Sequence, residues 1–434
     1  MSKDDEQLYS RRGFVRLIAA SPLVLGAASL SLASPVQADA KKLHRYSITY
    51  HLSVGFLPSS APRTYTKKTP SFNLPKPKAH GLIFQGWYRD KACTQRVKRV
   101  KKGSRGNLVL YAKWKAQPYW QKHLDEIIPH VRKMDSIVKD HGGDSFVFVT
   151  DVHVTATSKK EKLTSALVSP FLIGQVLSCT SISKTFFGGD ILTFRNKSKD
   201  AKADLQWWVR AMSANSMYCV LGNHDTNSQS GSKPKPASRL SRSYVKKLLF
   251  DKKEKVVSAN SLCYVLDNRR AKIRYVFLDS GDHNSKVMPD SEVRWMQQRI
   301  KELKEGWSVL VLMHQLFNPC YVKDGKQKTT LDPNGRKVMK GIDAVFDELD
   351  VTVIGVLGGH CHRDECLRSA KGYPLISTTA DSFTRAIRFD FNYPSAKLGT
   401  INEHAFDCVY IDTAERRITM TRIGRGARSR TYTY

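Results

Sequence analysis

Seven side chains of kinds that bind divalent metals stand at the ends of apolar runs: Asp151 and His153, Asp190, Asn223, His314, and His360 with His362. Carboxylate, amide and imidazole donors suit borderline divalent ions, and their number suits two ions. The runs are Phe146-Val147-Phe148-Val149-Thr150 before Asp151, Phe186-Phe187-Gly188-Gly189 before Asp190, and Tyr218-Cys219-Val220-Leu221-Gly222 before Asn223. Val309-Leu310-Val311-Leu312-Met313 precedes His314, and Val351 to Gly359 precedes His360. In Asp-x-His and His-x-His a period of two places both side chains on one side of a strand, toward one ion. Glycines ahead of them let the backbone turn tightly. A single such pair is ordinarily structural; five segments in this order point to a binuclear centre. Cys361 alternates to the opposite face and is not expected to be a ligand.

The elements that position these groups follow from the same runs. Each is a short, continuous apolar segment, which reads as a buried strand delivering polar residues at its carboxyl end, where α/β folds place their chemistry. Trp120, Leu124, Ile127, Ile128 and Val131 fall near helical spacing, and Pro129 is predicted to kink or end that helix. Pro289-Asp290-Ser291-Glu292 opens a second helix running to Leu303, with Ser291 as its cap and Trp295 in the core. Phe406–Asp412 and Arg417–Arg422 read as closing strands, and His283 receives no role.

As a set, these residues resemble the calcineurin-like metallophosphoesterase superfamily from about Phe146 to His362. The resemblance implies an α/β fold, a β-sandwich flanked by helices. It also implies that Asp151, His153 and His362 hold one metal, that Asn223, His314 and His360 hold the second, and that Asp190 bridges them. His224 would be the proton donor and Asp225 would orient it. The cofactors are then two divalent ions, Mn, Fe or Zn. Thr193 stands three residues after Asp190, where purple acid phosphatases carry a tyrosine that ligates ferric iron, so that subgroup is disfavoured.

Charge divides the chain unevenly. The formal net charge is +32, and residues 41–116 carry 18 basic side chains against one acidic, Asp90. Such a field draws polyanions such as nucleic acid, anionic lipid heads or phosphate-rich wall polymers, or else it is a solvated surface. Val97 to Gly103 is its most basic run. Alternation in Tyr46–Leu52 and Leu108–Trp114 predicts strands, and Pro58-Ser59-Ser60 and Leu74-Pro75-Lys76-Pro77 predict turns. With Gly81, Phe84, Gly86-Trp87-Tyr88 and Leu110-Tyr111-Ala112-Lys113-Trp114, the segment resembles the internalin B-repeat of bacterial surface proteins. It departs from that pattern in lacking a glycine pair after its first strand. Such modules serve as spacers or binding units, and the aromatics are assigned to the core rather than to a nucleic-acid stacking surface.

Ser10-Arg11-Arg12-Gly13-Phe14-Val15-Arg16, the interrupted apolar run Leu17–Ala33 and Ala38-Asp39-Ala40 look like a twin-arginine export signal with a cleavage site. The expected organisation is therefore a signal at 1–40, a small basic β-rich module at 41–116 and a metallophosphoesterase domain at 117–434, the whole exported and secreted or held at the cell envelope. No lipoprotein cysteine or C-terminal anchor is visible. Eight cysteines permit 105 pairings and the spacing selects none.

The expected reaction is hydrolysis of a phosphomonoester or phosphodiester by a hydroxide bridging the two ions, with His224 protonating the departing oxygen. No G-x-S-x-G elbow or G-x-x-x-x-G-K-[ST] loop supports a rival chemistry. Lys233, Lys235, Arg239 and Arg242 follow directly and either guide a polyanionic substrate or belong to a solvated loop. Two alternatives remain: a non-catalytic surface adhesion or binding protein, and a phosphodiesterase specific for polyanions such as wall polymer or nucleic acid.

Overall fold

Five of the apolar runs become parallel strands in a computed structural model that describes residues 43–155, 168–227, 238–250, 262–280, 287–318, 322–323, 326–327, 329–382 and 396–434. The export signal, His283, Lys233 and Lys235 lie outside the described residues.

The N-terminal module contains β1 (Tyr46–His51), β2 (Thr64–Tyr65), β3 (Phe72–Asn73), β4 (Leu82–Tyr88), β5 (Arg96–Val97), β6 (Arg99–Val100) and β7 (Leu108–Ala116). Its main sheet runs β2-β1-β7-β4-β5, with β1 and β7 parallel. Then come α1 (Pro118–Asp140), β8 (Asp144–Val149), α2 (Ser169–Cys179), β9 (Thr185–Phe187), α3 (Ser198–Met212), β10 (Met217–Cys219) and α4 (Arg242–Leu249). β11 (Tyr264–Asn268), β12 (Ile273–Phe277), α5 (Asp290–Lys301), β13 (Ser308–Leu312), β14 (Val322–Lys323), β15 (Lys326–Gln327) and α6 (Pro333–Phe346) follow. The chain ends with β16 (Thr352–Gly358), β17 (Glu365–Arg368), β18 (Pro374–Ser377), β19 (Ala405–Asp412), β20 (Arg417–Gly424) and β21 (Ser429–Thr433).

Two six-stranded sheets carry the candidate site. Their orders are β10-β9-β8-β19-β20-β21, parallel from β10 to β8 and antiparallel from there to β21, and β11-β12-β13-β16-β18-β17, parallel at its centre with an antiparallel strand at each edge. The sheets pack through aromatic rings: Tyr275 meets Phe146 and Phe186 at centroid distances of 5.7 and 4.8 Å. β13 shows why these strands are apolar throughout rather than alternating. Leu310 and Leu312 face the layer between the sheets, while Val309 and Val311 face Met296, Ile300, Val338 and Ile342 of α5 and α6. This is the helix-flanked sandwich expected from the sequence.

Three local readings change. α1 continues through Pro129, which is exposed, so the carbonyl left without an amide partner faces water instead of core. Pro289, not Ser291, caps α5 and makes no side-chain hydrogen bond; Ser291 lies inside the first turn. Ser53 takes up φ 60° after β1, and Gly55 packs where a Cβ would lie 2.6 Å from the Lys78 carbonyl, so this turn needs no glycine pair.

The module and the two-sheet region share one hydrophobic cluster, in which Val54, Leu82, Trp114 and Ala116 join Trp120 and Val168. Glu403, fully buried, accepts hydrogen bonds from Tyr119 Oη (3.0 Å), Trp120 Nε1 (2.7 Å) and the Gly399 amide (2.9 Å), and lies 2.5 Å from His80 Nε2 of the module. Burial alone would raise this acid; the His80 hydrogen bond, with His404 alongside, outweighs it and holds Glu403 down at about 2. No disulfide occurs among the described cysteines. No described helix is long and apolar enough to cross a membrane.

Candidate metal centre

β8, β9, β10, β13 and β16 end on the same side of the two sheets, and their following loops bring the donors together. One ligand atom each from Asp151, His153, Asp190 and His362 lies within 4.8 Å of the others, and Asp190, His314 and His360 form a second such group. Asp190 is common to both. Its Oδ2 lies 3.8 Å from His153 Nε2 and 3.3 Å from His314 Nε2. Asp151 Oδ1 lies 3.2 Å from His362 Nε2 and 3.9 Å from both His153 Nε2 and His314 Nε2. Asn223, buried, sits on the turn between Gly222 and His224.

Neighbouring groups fix which atom of each donor faces inward. Asp151 Oδ2 accepts from Thr150 Oγ1 (2.7 Å) and the His360 amide (3.0 Å), leaving Oδ1 to the centre. Asp190 Oδ1 accepts from the His224 amide (2.8 Å), leaving Oδ2. His153 Nδ1 donates to the Leu192 carbonyl (3.1 Å) and His314 Nδ1 to the Gly188 carbonyl (2.7 Å), so each presents Nε2. Such contacts set the orientation and basicity of metal ligands. Asp151 Oδ1 and His314 Nε2 are buried without an aligned hydrogen bond among the described residues. Buried polar atoms of this kind call for a partner, and with this donor set two divalent cations fit the place.

The same-side placement of Asp151 with His153, and of His360 with His362, does not come from strand alternation. The strands end at Val149 and Gly358, and all four residues lie beyond them with φ between 46° and 70°. Asp190 adds a fifth left-handed residue at 59°. Left-handed backbone at a non-glycine residue is costly and clusters at functional sites. Here tertiary bonds impose it, including Asp151 N to Gly189 O (2.9 Å) and His153 N to Asp190 O (3.1 Å). The glycines serve close approach: a Cβ on Gly222 would lie 2.1 Å from Asp190 Oδ1, and one on Gly359 2.5 Å from Asp151 Oδ2.

Electrostatics divide the imidazoles. Burial drives His153 well below its ordinary value and His360 down to about 3, keeping both neutral. Burial opposes charge on His314 as well, yet Asp190 and Asp151 together lift it to about 10. Both carboxylates stay ionised against their burial, because histidines face them.

His224 stands at the mouth, its side chain 15% exposed and its Nε2 3.9 Å from Asp190 Oδ2. Among the described residues Asp225 makes its hydrogen bonds to backbone amides rather than to that ring. Its oxygens accept from the amides of Asp190 (3.0 Å), Ile191 (2.7 Å), Leu192 (3.2 Å) and Gly222 (2.8 Å), so it shapes the Asp190 loop. Burial and the Asp190 charge push the Asp225 acid up to about 7, against the amide donors that favour its ionised form. Cys361 Sγ turns away toward Ser377 Oγ (3.0 Å), and burial raises the thiol to about 12.

Two supporting residues escape a reading by motif. Thr150 was visible only as the polar end of an apolar run. Ser280 Oγ, which accepts from the His314 and Gln315 amides (2.9 and 3.0 Å), carries no local signal.

Residues 145–364 match the family model for calcineurin-like phosphoesterase, and residues 46–113 match that for the Listeria-Bacteroides repeat domain. No curated protein matches. Among solved structures the chain is similar to a dimetal phosphatase from Danio rerio, with 15% identity, coverage of 67% of this chain and 99% of that one, and a TM-score of 0.44. It is also similar to purple acid phosphatase PPD1 from yellow lupin (Lupinus luteus), with 12% identity, coverage of 67% and 54%, and a TM-score of 0.43.

Proposed function

This chain belongs to the calcineurin-like phosphoesterase family, and from that premise we propose that residues 117–434 hydrolyse phosphomonoesters or phosphodiesters at the centre described. The chain is a metal-dependent phosphoesterase. In our reading Asp151, His153 and His362 hold one ion, Asn223, His314 and His360 hold the other, and Asp190 belongs to both. The observation that carries this assignment is the sharing of Asp190 by two separate ligand groups. Bound there, two divalent ions of Mn, Fe or Zn supply Lewis-acid polarisation of phosphate oxygens and acidify water.

The chain's own groups do the rest. Thr150, the His360 amide and the carbonyls of Gly188 and Leu192 lock the ligands in one orientation. His224, at the mouth and near Asp190, donates a proton from Nε2 to the departing oxygen. Asp225 serves by shaping the Asp190 loop. Replacing His224 with Ala is expected to lower turnover of an aryl phosphomonoester and an aryl phosphodiester by about 10²–10⁴, with bound Mn unchanged by elemental analysis. Equal rates in both assays would remove His224 from the mechanism.

The address and the module complete the reading. Arg11-Arg12 directs export and residues 1–40 are removed, leaving the module at 41–116 ahead of the enzyme at the cell envelope. Lysine at both arginines is expected to hold the precursor in the cytoplasm; an unchanged processed form in the medium would refute the twin-arginine route. The full ligand set argues against a purely adhesive role. The acid-poor module supports a polyanionic partner, wall polymer, membrane surface or nucleic acid.

A further inference from the structure

Four side chains form a continuous row across the outer face of the module's sheet. His51 on β1 pairs with Tyr111 on β7, Tyr111 with Tyr88 on β4, and Tyr88 with Arg96 on β5. Paired residues in neighbouring strands project to the same face. The opposite face is the module's core, with Ile48, Leu108, Leu110 and Trp87 buried. The row spans three strand spacings, roughly 14 Å.

Its chemistry is unlike an ordinary solvated sheet. The His51 ring, exposed, lies stacked on the Tyr111 ring at 4.8 Å and 12°. Lys113, exposed, places its Nζ 5.5 Å from the centroid of the Tyr88 ring. Arg96 lies over Gly86, where a Cβ would meet its Nε at 2.9 Å, and donates to the Gln85 carbonyl at 2.9 Å. Lys115, Val109 (42% exposed) and Ile83 (37%) extend the same face. Among the described residues no carboxylate pairs with Arg96, Lys113 or Lys115. The only acid between residues 41 and 116 is Asp90, and its oxygens are taken up by the amides of Thr94 and Gln95 and by Thr94 Oγ1.

We propose that this face binds single-stranded nucleic acid, with bases laid against His51, Tyr111 and Tyr88 and backbone phosphates held by Arg96, Lys113 and Lys115. Cations alone would fit any polyanion. Planar rings interleaved with them on an open sheet match a strand whose bases are unpaired, since each base offers a flat apolar face and each linkage one negative charge. Gly86 lets Arg96 lie flat beside the rings. The face is separate from the metal centre, so its test needs no turnover.

The experiment is fluorescence anisotropy of a short labelled oligo(dT) on the full chain across a salt series, beside an abasic oligonucleotide of the same length. Oligo(dT) is expected to bind more tightly than the abasic strand. Tyr88→Thr with Tyr111→Thr, which keeps strand-favouring residues, is expected to weaken oligo(dT) binding about tenfold or more while leaving the abasic strand unchanged. Arg96→Gln with Lys113→Gln is expected to weaken both strands and flatten the salt dependence by about 0.7 per charge removed. Tyr111→Phe should retain binding, and aryl phosphoester turnover together with the melting temperature reports that each variant is folded. Three results overturn the proposal: equal affinity for the two strands, displacement of oligo(dT) by a glycerol-phosphate polymer at lower concentration, or a dimer in light scattering that the tyrosine pair abolishes.

Discussion

Two clusters of buried charge lie in the two-sheet region and differ in how their charges balance. In one, Arg422 donates from Nε to Asp407 (2.9 Å) and from Nη2 to Asp364 (2.6 Å), Arg430 donates to the same two acids, and Thr378 closes the set. Two guanidinium groups meet two carboxylates. In the other, Asp151 and Asp190 face imidazoles, two of which burial keeps neutral, and their field is strong enough to lift His314 to about 10. The first cluster sets two cations against two anions; the second is built around positive charge that the side chains do not fully supply. Balance, rather than burial or the number of ionisable groups, separates a structural network from a reactive one.

Changes at the two clusters should therefore be read by different instruments. Asp190→Ala is expected to lower phosphoester turnover by about four orders of magnitude, corresponding to several kcal/mol of lost charge stabilisation, and to strip bound metal in elemental analysis. A variant that keeps both metal and activity would remove the contrast. Arg422→Met leaves Asp407 and Asp364 short of a partner and is expected to cost about 3–5 kcal/mol in chemical denaturation, with metal content retained by the molecules that fold. Loss of metal without loss of stability would reverse the assignment of the two clusters.

Another buried charge, Glu403, joins the module to the sheets. Its acid is held at about 2, below the ordinary carboxylate value. The unfolded chain thus binds the extra proton between about pH 4.5 and 2, and stability from this group, full above that window, falls as pH falls through it. The contribution is on the order of 3 kcal/mol. Melting curves of Glu403→Gln should show a shallower acid slope than the parent; parallel slopes would discount the junction. The smallest effect belongs to Thr150→Val, which removes one of two donors to Asp151 Oδ2 and should weaken Mn affinity about tenfold by calorimetry.

The ligands were legible because their types and their places after apolar runs are local facts. Asp151, His153, Asp190, His314, His360 and His362 converge, though not through the strand alternation their spacing suggested, and the strands before them lie parallel. What could not be read comes from contacts between distant residues. Left-handed backbone at Asp151 and His153 depends on bonds to Gly189 and Asp190. Asp225, beside His224 in sequence, turns instead to the amides of residues 190–192. His80 meets Glu403 across 323 positions, and Arg422 meets Asp364 across 58. The helix through Pro129 depends on that residue facing water, which periodicity alone does not reveal.

β8, the strand that ends at the first metal ligands, lies between β9 and β19. One neighbour follows within forty residues; the other, Ala405–Asp412, lies far along the chain, beyond every candidate ligand. Until that strand pairs, β8 presents an apolar edge with no permanent partner, a state prone to slow closure and to association with other chains. Pairing of β19 with β8 is thus a long-range step that the strand leading to the first metal ligands must await.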